Sequence, residues 1–300
     1  HSNNIGNVAV LGHLGSGKTS VIEAMAKRAG ISQQIGTINQ GTTISDYDVE
    51  EIKRQSSINL SLIPLEWDHC KINLLDTPGY FDFCGEVISS LTASDAAIIV
   101  IDATTDIQVG TEKSLELTED VPKIMFINKI DNEKSRYKDT LEMLREQYGN
   151  KIVPMIIPIY KDKKFVKLHN IFENIDELDG EFKDEAMSVK EALMELIAET
   201  DDEILDKYFS GEELDAQDIQ KGLTIGIQRG DIIPVICGST LNNIGTIEIL
   251  DTVSKYLEPK YLDKDSTFKG FVFKTVVDPF IGKISYLKVT QGEIKKDDEV

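Results

Sequence analysis

Residues 12 to 19 read Gly12-His13-Leu14-Gly15-Ser16-Gly17-Lys18-Thr19, the spacing G-x-x-x-x-G-K-[ST], and no other stretch restricts the fold so strongly. Such a loop works only between a buried strand and a helix. Its glycines let backbone N–H groups turn inward around phosphate oxygens, and the helix N-terminus adds a favourable dipole. The flanks comply: residues 8–11 are a short apolar run, and residues 18–29 carry helical spacing. Lys18 supplies charge to the outer phosphates, the Thr19 hydroxyl suits magnesium, and Ser20 continues the same nucleotide-binding set.

The same alternation continues downstream. Residues 71–75, 96–101 and 123–127 read as buried strands, and 83–93, 110–119 and 132–148 as helices. This predicts an α/β fold with a mostly parallel sheet covered by helices. From about 157 to 229 the chain is acidic and less regular, which reads as an insertion or subdomain. A solvated acidic helical face is the plain explanation, and a docking surface for a basic partner is the sharper one. A strand at 235–237 and a helix at 244–257 resume the first pattern. Residues 268–277 and 282–290 then look like two strands joined through Asp278 and Pro279, with 295–300 approaching another. The expected layout is a nucleotide-binding domain over 4–260 and the beginning of a β-domain over 267–300, since two strands are not a domain.

Composition excludes several classes. Lys and Arg number 32 against 52 Asp and Glu, a formal charge of −20, which argues against DNA or any broad nucleic-acid footprint. The longest apolar run, 152–159, is short and holds Pro154 and Pro158, so no membrane span is expected. No signal peptide is recognisable. Cys70, Cys84 and Cys237 are widely spaced and odd in number, which fits a reducing cytoplasm better than a disulfide framework. Cys237 reads as core, Trp67 as the cover of a hairpin, and His69 and His169 as surface or loop residues.

Two further motifs complete a site. Asp76-Thr77-Pro78-Gly79 ends the strand at 71–75; its carboxylate can hold magnesium through water, and Gly79 can offer an unobstructed N–H to a terminal phosphate. Asn128-Lys129-Ile130-Asp131 ends the strand at 123–127. The Asp131 carboxylate matches the N1–H and N2–H₂ donors of guanine, a pair that adenine lacks, and Lys129 can lay its stem along the base. Gly238-Ser239-Thr240 can complete the base pocket with backbone N–H groups.

Together these stretches resemble the amino-terminal part of a translational GTPase of the elongation factor G type, over the full length from about Asn4 to Val300. The loop at 12–19 is similar to the family's G-H-x-x-x-G-K-T, Asp76 to Phe83 to its D-T-P-G-H-V-D-F, and Val235 to Thr240 to its C-G-S-A region. Phe273 to Lys283 resembles the start of its second domain, a β-barrel. The resemblance implies GTP and GDP as ligands with Mg²⁺, hydrolysis on the ribosome, and rRNA and stalk proteins as partners of the full-length protein. It also implies that the chain is a monomeric fragment and that the acidic insertion is the subdomain that faces the stalk. Two positions depart from the family. Its switch sequence R-G-I-T aligns with Arg54-Gln55-Ser56-Ser57, where Ser57 keeps a hydroxyl for magnesium. Tyr80 replaces the histidine that positions water, which suggests a paralogue with slow intrinsic hydrolysis. A nucleotide-dependent binding module with little hydrolysis, and a ribosomal protection factor, are the alternatives.

Overall fold

The computed structural model describes residues 5–45, 49–79, 84–257, 265–278 and 280–299. Seven strands form the central sheet: β1 (Ile5–Gly12), β2 (Ser61–Trp67), β3 (Cys70–Asp76), β4 (Ala96–Asp102), β5 (Lys123–Asn128), β6 (Ile152–Pro154) and β9 (Ile233–Cys237). They lie in the order β2-β3-β1-β4-β5-β9-β6. Every named pair is parallel except β2–β3, which places the antiparallel strand on one edge. Strands β4 and β5 are buried almost throughout, as strands covered on both faces must be, and this is why they read as unbroken apolar runs.

Helices α1 (Lys18–Arg28), α3 (Cys84–Ala93), α4 (Val109–Leu117), α5 (Tyr137–Tyr148) and α9 (Thr246–Tyr256) follow β1, β3, β4, β5 and β9 in the chain. This is the P-loop GTPase fold. A six-residue helix, α2 (Val49–Arg54), precedes the edge strand.

Three local expectations need correction: the start of the helix after β5, the regularity of the acidic stretch, and the placement of His169. The helix after β5 starts at Tyr137, not Asn132. The Asn132 side chain accepts the Lys134 N–H at 2.9 Å, and such an Asx turn competes with helix formation. The apolar run 152–159 is divided between two sheets: it forms β6 up to Pro154 and then β7 (Ile156–Lys161), in a separate hairpin with β8 (Lys164–Asn170). Asp162 and Lys163 close that hairpin with φ of 51° and 64°, the left-handed pair that a two-residue turn requires. The acidic stretch, expected to be less regular, is largely helical. It carries α6 (Gly180–Ala198), α7 (Asp202–Ser210) and α8 (Ala216–Arg229). Asp201 caps α7, and Asp215 with Asp218 forms a capping box on α8, so part of the acidity serves helix ends. His169 is likewise not a surface residue: it lies in β8 and is 2% exposed.

The last strands, β10 (Lys269–Asp278) and β11 (Gly282–Gln291), pair antiparallel and resemble the start of a barrel. This ribbon is fastened to the sheet domain. The Lys288 ammonium reaches both oxygens of Asp95 at 2.9 Å, while Asp95 accepts the Asn7 N–H at 2.9 Å. Phe273 joins Leu60, Leu75 and Ala93 in a small apolar cluster. No helix among the described residues is long and apolar enough to cross a membrane.

Candidate nucleotide-binding site

A cleft of about 800 Å³ opens at the carboxyl ends of the parallel strands, where ligands of open α/β sheets bind. Three of its walls come from loops that the sequence singles out. The loop after β1 ends in Gly17, whose φ of 101° sets the start of α1. A Cβ there would run into the Asn128 side-chain amide, so the loop and the motif after β5 fit together only with glycine at this position.

Asn128 ties this corner together. Its amide donates to the Ser16 carbonyl at 2.9 Å, and its oxygen accepts the N–H groups of Lys129 at 2.9 Å and Thr240 at 3.2 Å. Lys129, with φ of 65°, sends its ammonium to the Gly15 carbonyl at 2.8 Å and to Asp102 at 2.5 Å. Burial pushes the Asp102 carboxyl up, but hydrogen bonds from Lys129 and Thr104 outweigh it and leave the group below the ordinary carboxylate range. Asp131 accepts a hydrogen bond from the Asn242 amide. The segment 238–240 is held in place because Gly238 accepts the Ile130 N–H at 3.2 Å, and Ser239 exchanges two backbone bonds with Ile244 at 2.9 and 3.0 Å.

At the opposite end of the cleft, Thr19, Ser57 and Asp76 meet. The Thr19 hydroxyl donates to Asp76 at 2.9 Å and lies 3.3 Å from the Ser57 hydroxyl. All three are buried and offer only oxygen, the donor type magnesium takes. The residues present therefore fit that ion. Lys18 donates to the Gly12 and His13 carbonyls, each at 3.1 Å. Gly79 lies so close that a Cβ on it would come within 2.6 Å of the Lys18 nitrogen. The His13 ring turns away, against Gly110 of α4; burial and, after it, the Lys18 charge pull its pKa down. Leu14, Ser20 and Leu241 also line the cleft. Tyr80 lies outside the described residues.

The elongation factor Tu GTP binding domain matches residues 3–259. The chain belongs to this family of translational GTPases. Its relatives include an elongation factor G-like protein of Thermotoga maritima, 28% identical over 99% of this chain and 47% of that protein. Elongation factor G of Fervidobacterium nodosum is 29% identical over 98% and 48%. A crystal structure of a Thermus thermophilus protein superposes with a TM-score of 0.89 at 32% identity, over 98% of this chain and 46% of that one. The chain thus spans about half the length of the curated relatives it matches.

Four residues around this cleft are not marked by the sequence motifs. Asp102 ends β4 in register with Asn128, so a carboxylate closing a strand beside the N-K-x-D strand was the available signal. Asn242 sits two residues past Thr240, where nothing in the sequence marks it. Tyr160 of the inserted hairpin donates to the Ile130 carbonyl at 3.0 Å, and burial pushes its phenol up to about 12, so it stays a donor. Glu51 accepts the N–H groups of Ile58 and Asn59, each at 2.9 Å, which fixes the backbone just beyond Ser57.

Proposed function

We propose that this cleft binds a guanine nucleotide with magnesium, and that the protein hydrolyses GTP on the ribosome in an elongation factor G-like step. Residues 4–260 would form the GTP-binding domain, with 157–229 as its inserted subdomain, and 267–300 the beginning of a β-barrel. The observation that carries the reading is the meeting of Thr19, Ser57 and Asp76, drawn from three separate parts of the chain, at one end of a cleft whose other end holds Asp131.

In this reading the amides of Gly12 to Thr19 surround the phosphates, and Lys18 neutralises charge on them. The Thr19 and Ser57 hydroxyls and the Asp76 carboxylate hold the metal, which when bound would offset charge on the outer phosphates. Gly79 gives its N–H to the γ-phosphate, and the Asp131 carboxylate takes the N1–H and N2–H of guanine. The Lys129 stem, with Ser239 and Thr240 behind the ring, encloses the base. Calorimetric titration tests this directly: GDP and a GTP analogue should bind with magnesium, and ATP should not compete. Equal competition by ATP would overturn it.

Tyr80 favours a second reading, a switch that scarcely hydrolyses GTP, because a phenol is neutral near pH 7 and lacks an imidazolium's charge. We expect hydrolysis that is slow alone and stimulated by ribosomes. Comparing Tyr80→His with the parent in single-turnover assays separates the readings, and identical ribosome-stimulated rates would remove the role given to Tyr80.

A further inference from the structure

Gln55 stands where the resembled switch sequence has glycine, and its backbone keeps a glycine's shape, with φ of 53°. That left-handed conformation costs glycine nothing, but it presses the Cβ of any other residue against its own backbone. Eight non-glycine residues among those described adopt positive φ. Asp68 with His69, and Asp162 with Lys163, are the two-residue tips of hairpins, where the turn itself demands it. Asp297 lies near the end of the chain. The other three, Gln55, Lys129 and Asn243, belong to the loops that border the nucleotide cleft. Gln55 directly follows α2, at the position where helices commonly end in the left-handed conformation and glycine is the favoured residue, so glutamine is kept there at some conformational cost.

Both backbone bonds that close such a helix end are present. The Gln55 N–H donates to Ile52 at 3.3 Å, the next N–H donates to Glu51 at 3.2 Å, and the Glu51 carboxylate holds the two amides beyond Ser57. The backbone is therefore pinned on both sides. The side chain is exposed and makes no hydrogen bond to the described residues. It lines the same cleft as Thr19, Ser57 and Gly79, the end assigned to the γ-phosphate. A carboxamide can accept from a water through its oxygen and donate to a phosphate through its NH₂. It holds both in line without needing a charge.

We propose that Gln55 is a catalytic residue that orients the attacking water, in a chain that has Tyr80 in place of the family's histidine. The proposal rests on the cleft being a GTPase site. The water oxygen forms the new bond to the γ-phosphorus while the bond to the β,γ-bridging oxygen breaks. The water's proton passes to a γ-phosphate oxygen, and GDP and phosphate leave. Gln55 positions the water and takes no proton.

The test uses Gln55→Gly and Gln55→Asn in the whole chain, with three readouts: fluorescent GDP affinity, melting temperature, and single-turnover hydrolysis of labelled GTP with protein in excess. Glycine suits the backbone better than glutamine, so a merely structural role predicts a protein at least as stable and as active. The expected result is a Gly variant that binds GDP within about twofold of the parent, melts no lower, and hydrolyses GTP at least about tenfold more slowly. The Asn variant, one methylene shorter, should fall between. A Gly variant as fast as the parent would overturn the role, and so would a parent no faster than GTP in buffer. Failure to bind GDP at all would instead sink the nucleotide reading itself, before Gln55 came into question.

Discussion

The Lys129 ammonium lies 2.5 Å from the Asp102 carboxylate while donating to the Gly15 carbonyl at 2.8 Å. One side chain thus ties the base-side loop to the phosphate loop and to the end of β4. Lys129→Met should weaken GDP binding about tenfold, read by calorimetry, because the loops lose their shared anchor. It should also cost about 1 kcal/mol of stability or less, since the pair is partly exposed. The pH dependence has a definite sign. The Asp102 pKa is lowered in the folded protein, so its contribution is present above the unfolded value near 3.8 and fades as pH falls through the lower folded value. The stability gap between parent and variant should therefore be constant at neutral pH and close only in strong acid. A gap that closes as pH rises would contradict the pairing.

Base selection should reverse when the acceptor becomes a donor. Asp131→Asn places an NH₂ where xanthine carries a C2 carbonyl, so affinity for GDP should fall about a hundredfold and xanthosine diphosphate should bind better than GDP. Competition against a fluorescent guanine nucleotide measures both. Unchanged preference for guanine would remove Asp131 from the base pocket.

Ser57→Ala deletes one of three clustered oxygens and leaves Thr19 and Asp76 in place. The magnesium concentration needed for half-maximal binding of a GTP analogue should rise about tenfold. Magnesium titration monitored by nucleotide release gives the number, and an unshifted midpoint would exclude the Ser57 hydroxyl as a ligand.

Lys123 opens β5 almost fully buried. Burial, and next the Lys151 charge, pull its pKa from 10.5 to about 8. Between those values the unfolded chain binds the additional proton, so stability from this group rises with pH from about 8 to 10.5. Lys123→Met should raise the melting temperature by a few degrees at pH 7, with the advantage shrinking toward pH 10. Thermal scans across that range check it, and a variant less stable than the parent at pH 7 would show that Lys123 is well paired.

The features readable in the sequence were those written in contiguous residues. Gly12 to Thr19 and Asn128 to Asp131 announce themselves because phosphate and guanine require fixed spacings, and β4 and β5 because strands buried on both faces are apolar throughout. What escaped depends on partners far along the chain. Tyr160 reaches Ile130 only because a hairpin folds back over the sheet, and Asn242 reaches Asp131 across 111 residues. The start of α5 is hard to read because residues 131–136 contain no apolar residue to mark a helical face, while the Asn132 side chain favours a turn. His169 was misjudged because alternation in β8 is too weak to show which face is covered.

Leu60 lies three residues beyond Ser57. Its N–H is held by Glu86 of α3 at 3.0 Å, and its carbonyl is held by Lys274 of the ribbon. Three extended residues reach about 10 Å at most, so while Leu60 stays clasped, Ser57 is on a leash of that length. Any withdrawal from Thr19 beyond it must drag on the helix after the D-T-P-G motif or on the ribbon, and the first to yield sets how far the movement travels.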